Sequence, residues 1–471
     1  MKYEMTIGIE CHVQLSTKTK LFSEVNNDAR GQEPNSCVSP VDYALPGMLP
    51  RLNGEAVKYA IRAGRAMNCE INPRSRFDRK HYFYPDSPKG YQITQFYAPI
   101  IGAGFVELPN GTKVRIEHAH LEGDAGKLSH CDTYSLVDLN RVDTPLIEIV
   151  SMPDIHSAAD ARDYVKELWR LMTYAGVSYG DLYNGNMRFD VNISLAPAGS
   201  TTLGTRAEIK NLNSFRSVER AVEYEYSRQK SLLDRGEPVV QETRGWNDAT
   251  GKTTPQRSKE QAKDYRYMPE PDLPPLNLSA DFIATESAKV PLLPSDYRRE
   301  FAGILPADII EVLLDYQPLV SKLHDLPSDS AKKRIANLFS SVLLAEENSS
   351  LLNDDLPSAT QLTDLAAMLD AKELSSTGAK EVFLALFKPA QKGKPAKDLA
   401  KELNLLQQND TAALEKIVDE VLASPATAKA QSDYRAGQTK VLGFLVGQCM
   451  KASRGQGNPS LFQEILKTKL S

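Results

Sequence analysis

Apolar and polar residues alternate in several short stretches of the first 150 positions. In the first stretch, residues 5–13, Glu10 and His12 interrupt an apolar run. Successive side chains of a β-strand point to opposite faces, so Glu10 and His12 are predicted to share one face. The same spacing puts a second polar set on one face of a later strand: His118, His120, Glu122 and Asp124.

A third apolar stretch carries a single carboxylate, Glu148, between Ile147 and Ile149. A carboxylate in an apolar strand is costly unless it is paired or binds a metal. Three such strands predict one polar site on a rigid sheet. The alternative is a solvated sheet edge with ion pairs to Arg115, Arg141 or Lys127. That alternative explains Glu10 and His12 better when they are taken alone, whereas Glu148 favours a functional site.

The sequence pattern predicts different roles for the histidines outside the first strand. His118 and His130 are interpreted as surface or core residues, and His120 fits a site and a packed core equally well.

Helical spacing appears between these strands. A helix is predicted from Asn53, an N-cap residue type, with Val57 and Ile61 on its apolar face. Ser157 begins a second helix with a capping-box-like start, and a third is predicted over residues 215–233. Strands mixed with segregated helices favour an α+β fold over a doubly wound sheet.

The composition changes after residues 268–275, a proline-rich stretch that cannot continue a helix or a central strand. From about residue 291 aliphatic residues recur at helical spacing, which predicts an all-helical region. A polar Pro/Gly stretch at residues 388–395 divides it. We therefore expect three domains, 1–290, 291–395 and 396–471, the last containing a glycine-bearing amphipathic helix at 439–451.

The overall composition excludes several classes of protein. The formal net charge of the 471 residues is −5, so no global positive field attracts nucleic acid, and any such contact must be local. No apolar run is long enough to span a bilayer, and the first residues lack the pattern of a secretion signal. Five scattered cysteines without a CxxC pair argue against a disulfide framework or a zinc ribbon. The expected location is the cytoplasm.

The candidate chemistry is that of a hard cation. Carboxylates with an imidazole suit Mg²⁺ or Mn²⁺ with open positions for phosphate oxygens. Residues 77–92 interleave cations with aromatic rings, which suits a nucleic-acid terminus and a packed aromatic loop equally well. Polar residues alternate along residues 137–141 and 208–214. This pattern is expected both for strands that line a site and for side chains that cap the ends of strands. Gly251, Lys252 and Thr253 lack the preceding glycine of a P-loop.

Nine motifs in this order resemble one family, the B subunits of the tRNA-dependent amidotransferase that corrects Glu-tRNA(Gln) and Asp-tRNA(Asn). They lie at residues 7–15, 77–80, 91–96, 124–127, 135–141, 144–148, 209–214, 264–267 and 443–459. The resemblance implies a cradle-shaped α+β domain with a mixed or antiparallel sheet and flanking helices. A helical domain and a small helical tail that contacts tRNA follow it.

The resemblance also implies the reaction. ATP phosphorylates the side-chain carboxylate of the misattached amino acid, and ammonia then displaces phosphate to give Gln-tRNA or Asn-tRNA. Metal, positioning and charge neutralisation carry such chemistry without a nucleophile. The ammonia is expected from a separate amidase (glutaminase), the A subunit of the same enzyme. A small C subunit is expected to link the two.

The residues that the resemblance singles out fall into four sets. The catalytic set is Glu10, His12, Glu122, Glu148 and Lys127. The metal ligands are Glu10, His12, Glu122, Glu148 and, as a replacement, Asp124. The ATP-binding set is Lys80, Lys89, Asp138, Asn140 and Arg141, with the phosphate-binding lysine left open. The tRNA-binding set is Lys440, Lys451 and Arg454.

Two departures from the family pattern affect these expectations. The family usually has two adjacent glutamates where this chain has Glu122 and Gly123, so one ligand is expected to be missing and Asp124 or water to replace it. The four zinc cysteines of many members are replaced by Ser23, Val25, Ser39 and Asp42, so no structural zinc is expected.

Two other functions stay open on the sequence. One is a tRNA-binding accessory module without catalysis, and the other is a freestanding ATP-dependent ligase that acts on a small acid. The carboxylates argue against the first, and the basic tail argues against the second.

Overall fold

The computed structural model describes residues 2–258, 264–407, 411–453 and 457–470. The chain divides into two compact units, Met1–Asp296 and Tyr297–Ser471. The first is a sheet with flanking helices and the second is helical, so the predicted α+β class is confirmed. The finer division at residues 290 and 395 stays a prediction.

The described residues of the first unit form fifteen strands. In chain order they are β1 Tyr3–Gln14, β2 Arg74–Ser75, β3 Asp78–His81, β4 Tyr91–Thr94, β5 Gly104–Glu107, β6 Lys113–Gly123, β7 Lys127–His130, β8 Ser135–Asp138, β9 Pro145–Ser151, β10 Met187–Pro197, β11 Ala207–Leu212, β12 Glu242–Asn247, β13 Lys252–Ser258, β14 Met268–Pro269 and β15 Leu276–Asn277. Eight of them form one sheet in the order β13-β12-β11-β10-β1-β9-β6-β5. Its described pairings are antiparallel except β11 with β12.

Fifteen α-helices are present in the described residues. They are α1 Gly54–Ala66, α2 Ala158–Tyr174, α3 Phe215–Asp234, α4 Ala280–Ser287, α5 Pro294–Phe301, α6 Ala307–Leu313, α7 Gln317–His324, α8 Asp329–Leu338, α9 Ala359–Asp370, α10 Ser376–Ala385, α11 Ala396–Glu402, α12 Thr411–Ala423, α13 Ala428–Arg435, α14 Leu442–Ala452 and α15 Pro459–Leu470. Within the described part of the chain, none is long and apolar enough to cross a membrane.

The central strand β1 has one apolar and one polar face. Ile7, Ile9, Cys11 and Val13 are buried in a core that includes residues of α1, α2 and α3, such as Val165. The alternating residues of β1 lie on the other face and are partly exposed. The apolar face therefore fixes the strand against the helices, and the polar face is left to form a site.

The three predicted helix starts are confirmed. Asn53, Ser157 and Ser214 are the N-caps of α1, α2 and α3, and each side chain accepts a hydrogen bond from a backbone N–H of the first turn. Capping residues satisfy N–H groups that have no partner within the helix, which is why these residue types mark the boundaries in the sequence.

The end of the second unit has a core of its own. Leu414, Val418, Leu445, Phe462 and Leu466 pack together from α12, α14 and α15. The helix predicted at residues 439–451 is present as a 3-10 turn followed by α14.

Candidate active site

Three neighbouring strands bring polar side chains together on the polar face of the large sheet. Glu148 on β9 lies opposite His12 on β1 and opposite His120 on β6. Directly paired residues of a sheet point to the same face, so the three side chains converge. Glu122 lies two residues beyond His120 on the same strand and joins them.

The distances within this group are those of a compact polar cluster. His12 Nε2 lies 3.7 Å from Glu122 Oε1 and 3.8 Å from Glu148 Oε2. One ligand atom from each of His12, Glu122 and Glu148 lies within 4.8 Å of the other two. His120 Nε2 is 3.3 Å from Glu148 Oε2, and its buried Nδ1 has no hydrogen-bond partner among the described residues. We call His12, Glu122 and Glu148 the His12 cluster.

The charges around the His12 cluster are coupled. Burial alone would lower the pKa of His120, but its contacts with Glu122 and Glu148 outweigh burial and raise the pKa to about 9. Burial alone would raise the pKa of Glu148, but the contact with His120 and the nearby His12 and Lys80 hold it well below its usual range. Burial likewise opposes the charge of Lys80, and the attraction of Glu122 and Glu148 still raises its pKa. Glu148 is therefore held as a carboxylate beside the positive charges of His120 and Lys80.

A second group of carboxylates lies on the next strands of the same sheet. Glu10, Asp190 and Glu208 come from β1, β10 and β11 and also offer three oxygens within 4.8 Å of one another. Lys210 donates to Asp190 at 2.9 Å, and Asn192 donates to Glu10 at 3.0 Å. Burial and then the charge of Glu148 raise the pKa of Glu10. The structure thus groups Glu10 with Asp190 and Glu208, beside Glu148 of the His12 cluster, and the role of Glu10 as a metal ligand stays a prediction.

Asp124, the predicted replacement ligand, binds guanidinium groups. Its carboxylate lies 3.0 Å from Arg141 Nε and 3.3 Å from Arg188 Nη2. Arg141 also donates from Nε to the carbonyl of Ala125 at 3.1 Å. This corner lies at the end of β6, outside both carboxylate groups.

Position 123 points away from the His12 cluster. A Cβ on Gly123 would lie 2.7 Å from Asp143 Oδ1 and 3.4 Å from a ring carbon of Phe22. Neighbouring strand residues face opposite sides, so a side chain here would not reach the cluster that Glu122 joins. The expectation that Gly123 removes a ligand from this cluster has no support in the geometry.

The lysines predicted for the site have different surroundings. Lys80 lies beside the His12 cluster, with its Nζ 4.9 Å from the centre of the Tyr265 ring. Lys89 is buried and donates to Asp143. Lys127 is exposed on β7, opposite Asp138 in a separate two-stranded ladder.

Asp138 and Asn140 hold a neighbouring loop in place. The Asp138 carboxylate accepts from the backbone N–H groups of Asn35 and Asn140. Asn140 accepts from the N–H of Cys37 at 2.8 Å and donates to the carbonyl of Glu33. Their ATP-binding role remains a prediction.

The aromatic segment at residues 77–92 has a packed part and an exposed part, and its contact with a nucleic-acid terminus stays a prediction. Arg79 donates two hydrogen bonds, of 2.7 and 2.9 Å, to the Glu270 carboxylate, and its guanidinium lies over the Tyr91 ring. Phe83, by contrast, is 77% exposed. One part of the segment is packed and another faces solvent.

Three of the four positions where related chains carry zinc cysteines are linked by hydrogen bonds. Asp42 is fully buried and accepts from Lys20 at 3.3 Å, from the Ser23 hydroxyl at 3.3 Å and from the Ser39 backbone N–H at 2.8 Å. The expectation of no structural zinc stays a prediction.

Sequence reasoning missed three residues of the polar face: Arg188, Asp190 and Asn192. They alternate along β10 with the buried Phe189 and Val191, so the period-two pattern was a usable signal. Of the tRNA-binding set, Lys440 is exposed in the 3-10 turn before α14, Lys451 is exposed in the last turn of α14, and Arg454 lies outside the described residues.

The sequence is similar to known proteins along its whole length. A family model described as the GatB/GatE catalytic domain matches residues 5–284, and one described as the GatB domain matches residues 323–470. Three curated relatives are named as the B subunit of aspartyl/glutamyl-tRNA(Asn/Gln) amidotransferase. The protein of Halorhodospira halophila is 46% identical over 100% of this chain and 99% of its own, that of Marinobacter nauticus 45% over 100% of both, and that of Thermosynechococcus vestitus 42% over 100% and 97%.

Proposed function

The chain belongs to the family of aspartyl/glutamyl-tRNA(Asn/Gln) amidotransferase B subunits, and from this we propose that it transamidates misacylated tRNA. The substrates are Glu-tRNA(Gln), Asp-tRNA(Asn) or both. The products are Gln-tRNA(Gln) and Asn-tRNA(Asn). The chain acts as the ligase component of a multi-subunit enzyme.

The observation that carries this proposal is the His12 cluster with Lys80 beside it. A cluster of one imidazole and two carboxylates offers the ligands that Mg²⁺ or Mn²⁺ accepts, and three protein donors leave positions for phosphate oxygens. The pKa of Lys80 is raised by Glu122 and Glu148, so its ammonium stays charged at neutral pH. This arrangement suits the positioning of ATP better than the role of a tRNA-binding accessory module.

The proposed reaction has two steps. The side-chain carboxylate of the tRNA-bound amino acid attacks the γ-phosphorus of ATP, which gives an acyl phosphate and ADP. Ammonia then attacks the acyl carbon, and inorganic phosphate leaves with the C–O electron pair to give the amide. His12, Glu122 and Glu148 would hold a divalent cation, which would supply charge neutralisation to the phosphates, and the Lys80 ammonium provides a second positive group beside them.

The proposal requires partners. The relatives are named as the B subunit of an amidotransferase, which implies further subunits, and we propose that an amidase among them supplies ammonia and that a small third protein links the two. The misacylated tRNA is bound in part by the basic residues of the tail, Lys440 and Lys451.

The test is ATP turnover by the complex with its amidase partner, in Mg²⁺ and glutamine, on Glu-tRNA(Gln) and on uncharged tRNA. Turnover that needs the misacylated tRNA and yields Gln-tRNA supports the proposal. Glu148→Gln should reduce kcat on the order of 100-fold or more, because a charged ligand of the cation is lost. Glu117→Gln, an exposed change on the adjacent strand β6, is the matched control and should leave kcat unchanged.

ATP turnover that ignores aminoacylation would contradict the proposal. It would favour the accessory module, in which the cluster plays no part in catalysis.

A further inference from the structure

Gly123 has a backbone that any residue could adopt but no room for a side chain. It is absent from the residues with positive φ, so glycine is not required there by conformation. A Cβ would lie 2.7 Å from Asp143 Oδ1, closer than real Cβ atoms approach other groups, and 3.2 Å from Asp143 Cα, which is tighter than most real Cβ contacts. The space beside position 123 is therefore filled by the carboxylate of Asp143.

Asp143 carries that carboxylate in an unfavourable conformation. Its φ is +59°, in the left-handed region, which favours glycine and is strained for a residue that carries a Cβ. Its side chain is 7% exposed. A strained residue with a buried charge persists only where the surroundings hold it, so its contacts indicate what it does.

Those contacts join three segments at the end of β6. The carboxylate binds Lys89, whose side chain is 8% exposed and lies over the Phe22 ring. The Asp143 backbone N–H donates to the carbonyl of Asp124 at 2.9 Å. The segment that carries Lys89 also contacts the residues that follow β6, because the Asp86 carbonyl accepts a hydrogen bond from the Gly126 N–H at 2.8 Å.

We propose that Gly123 and Asp143 are a matched pair in which Asp143 acts as a positioning residue. Its carboxylate binds Lys89 from the place that a side chain on residue 123 would fill, and this fixes the end of β6 and hence Glu122. The link to Glu122 rests on the proposed function. The pairing of positions 123 and 143 does not.

The direct test exchanges the two residues. Gly123→Asp puts a Cβ into the Asp143 carboxylate, and Asp143→Gly leaves the Lys89 ammonium buried without its partner. Each single variant should lower Tm by about 5 °C. In Gly123→Asp/Asp143→Gly, the Cβ of residue 123 occupies the space that the Asp143 carboxylate leaves, and the new carboxylate oxygens lie two bonds beyond it. Glycine at position 143 adopts the positive φ without strain. The double variant should recover most of the lost Tm.

A second readout separates positioning from mere stability. Asp143→Asn keeps the shape of the side chain and tolerates positive φ, but it removes the charge that binds Lys89. Binding of Mn²⁺ to the purified chain, followed by electron paramagnetic resonance, should weaken about 10-fold in Asp143→Asn and Asp143→Gly. The exchanged variant should restore it to within about 3-fold of the unchanged chain.

Two results would overturn the proposal. One is a double variant whose loss of Tm equals the sum of the single losses, because the two positions would then be independent. The other is unchanged Mn²⁺ affinity in Asp143→Asn, because Asp143 would then not position Glu122. Neither measurement depends on tRNA or ATP, so a failure of the proposed function would be recognised separately, by the turnover assay.

Discussion

His12 and Glu148 owe their proximity to strand register, not to their distance in the chain. They are 136 positions apart, and the antiparallel pairing of β1 with β9 sets them side by side. The same register places Glu10 opposite Asp190, on the other neighbouring strand. A shift of one residue would turn all of these side chains into the apolar core.

The partly buried thiol of Cys69 is also affected by its packing. Burial raises the pKa of Cys69 to about 12, whereas an unfolded thiol titrates near 8.5. The protonated thiol therefore contributes fully to stability below about pH 8.5, and the contribution is lost as the pH rises toward 12.

We expect Cys69→Ala to make the free energy of unfolding less dependent on pH. Between pH 8.5 and 10.5 the free energy of unfolding of the variant should decrease by about 1 kcal/mol less than that of the unchanged chain, after allowance for partial exposure of the side chain. Urea unfolding at a series of pH values measures this. Cys131→Ala removes an exposed thiol and should leave the pH dependence as it was.

At the scale of elements, the helix caps connect the helices to the loops beside the sheet. Asn53 accepts from the N–H of Glu55 at 2.9 Å and also donates to the carbonyls of Thr19 and Lys20. Ser157 accepts from the N–H of Asp160 at 3.0 Å and caps α2 alone. Asn53 therefore holds both a helix and a loop.

Replacement of these caps should have unequal costs. We expect Ser157→Ala to lower the free energy of unfolding by about 1 kcal/mol, and Asn53→Ala by about 2 kcal/mol, because the second also removes the hydrogen bonds to the carbonyls of Thr19 and Lys20. Chemical denaturation of the two variants under one condition gives the comparison. Equal losses would mean that the contacts of Asn53 with the loop contribute nothing.

At the scale of the whole molecule, the two compact units have separate cores. The large core includes residues from Ile7 to Leu273, and a core of the second unit lies between Leu414 and Leu470. Each core belongs to a single unit, so each unit has the means to fold by itself. The carboxylates of the candidate site all lie in the first unit.

This division predicts that residues 1–296 alone bind the cation as tightly as the full chain does, whereas they bind tRNA more weakly. Mn²⁺ affinity of the fragment should match that of the full chain within about 3-fold, because no ligand is lost. Affinity for tRNA should fall about 10-fold or more, because Lys440 and Lys451 are absent. Circular dichroism first establishes that the fragment is folded. Unchanged tRNA affinity would contradict a role for the tail.

The sequence by itself determined the local structure of this protein and its fold class. The α+β class, the N-caps of α1, α2 and α3, the helical second half and the polar face of β1 follow from local periodicity and capping, which depend on nearby residues. The motifs also sufficed to recognise the family.

The tertiary structure decided which pieces meet. It grouped Glu10 with Asp190 and Glu208, paired Asp124 with Arg141 and Arg188, and turned position 123 toward Asp143. These outcomes depend on strand order and register between segments far apart in the chain. Local periodicity gives the face of each residue along its own strand, but it carries no information about which strand lies beside it.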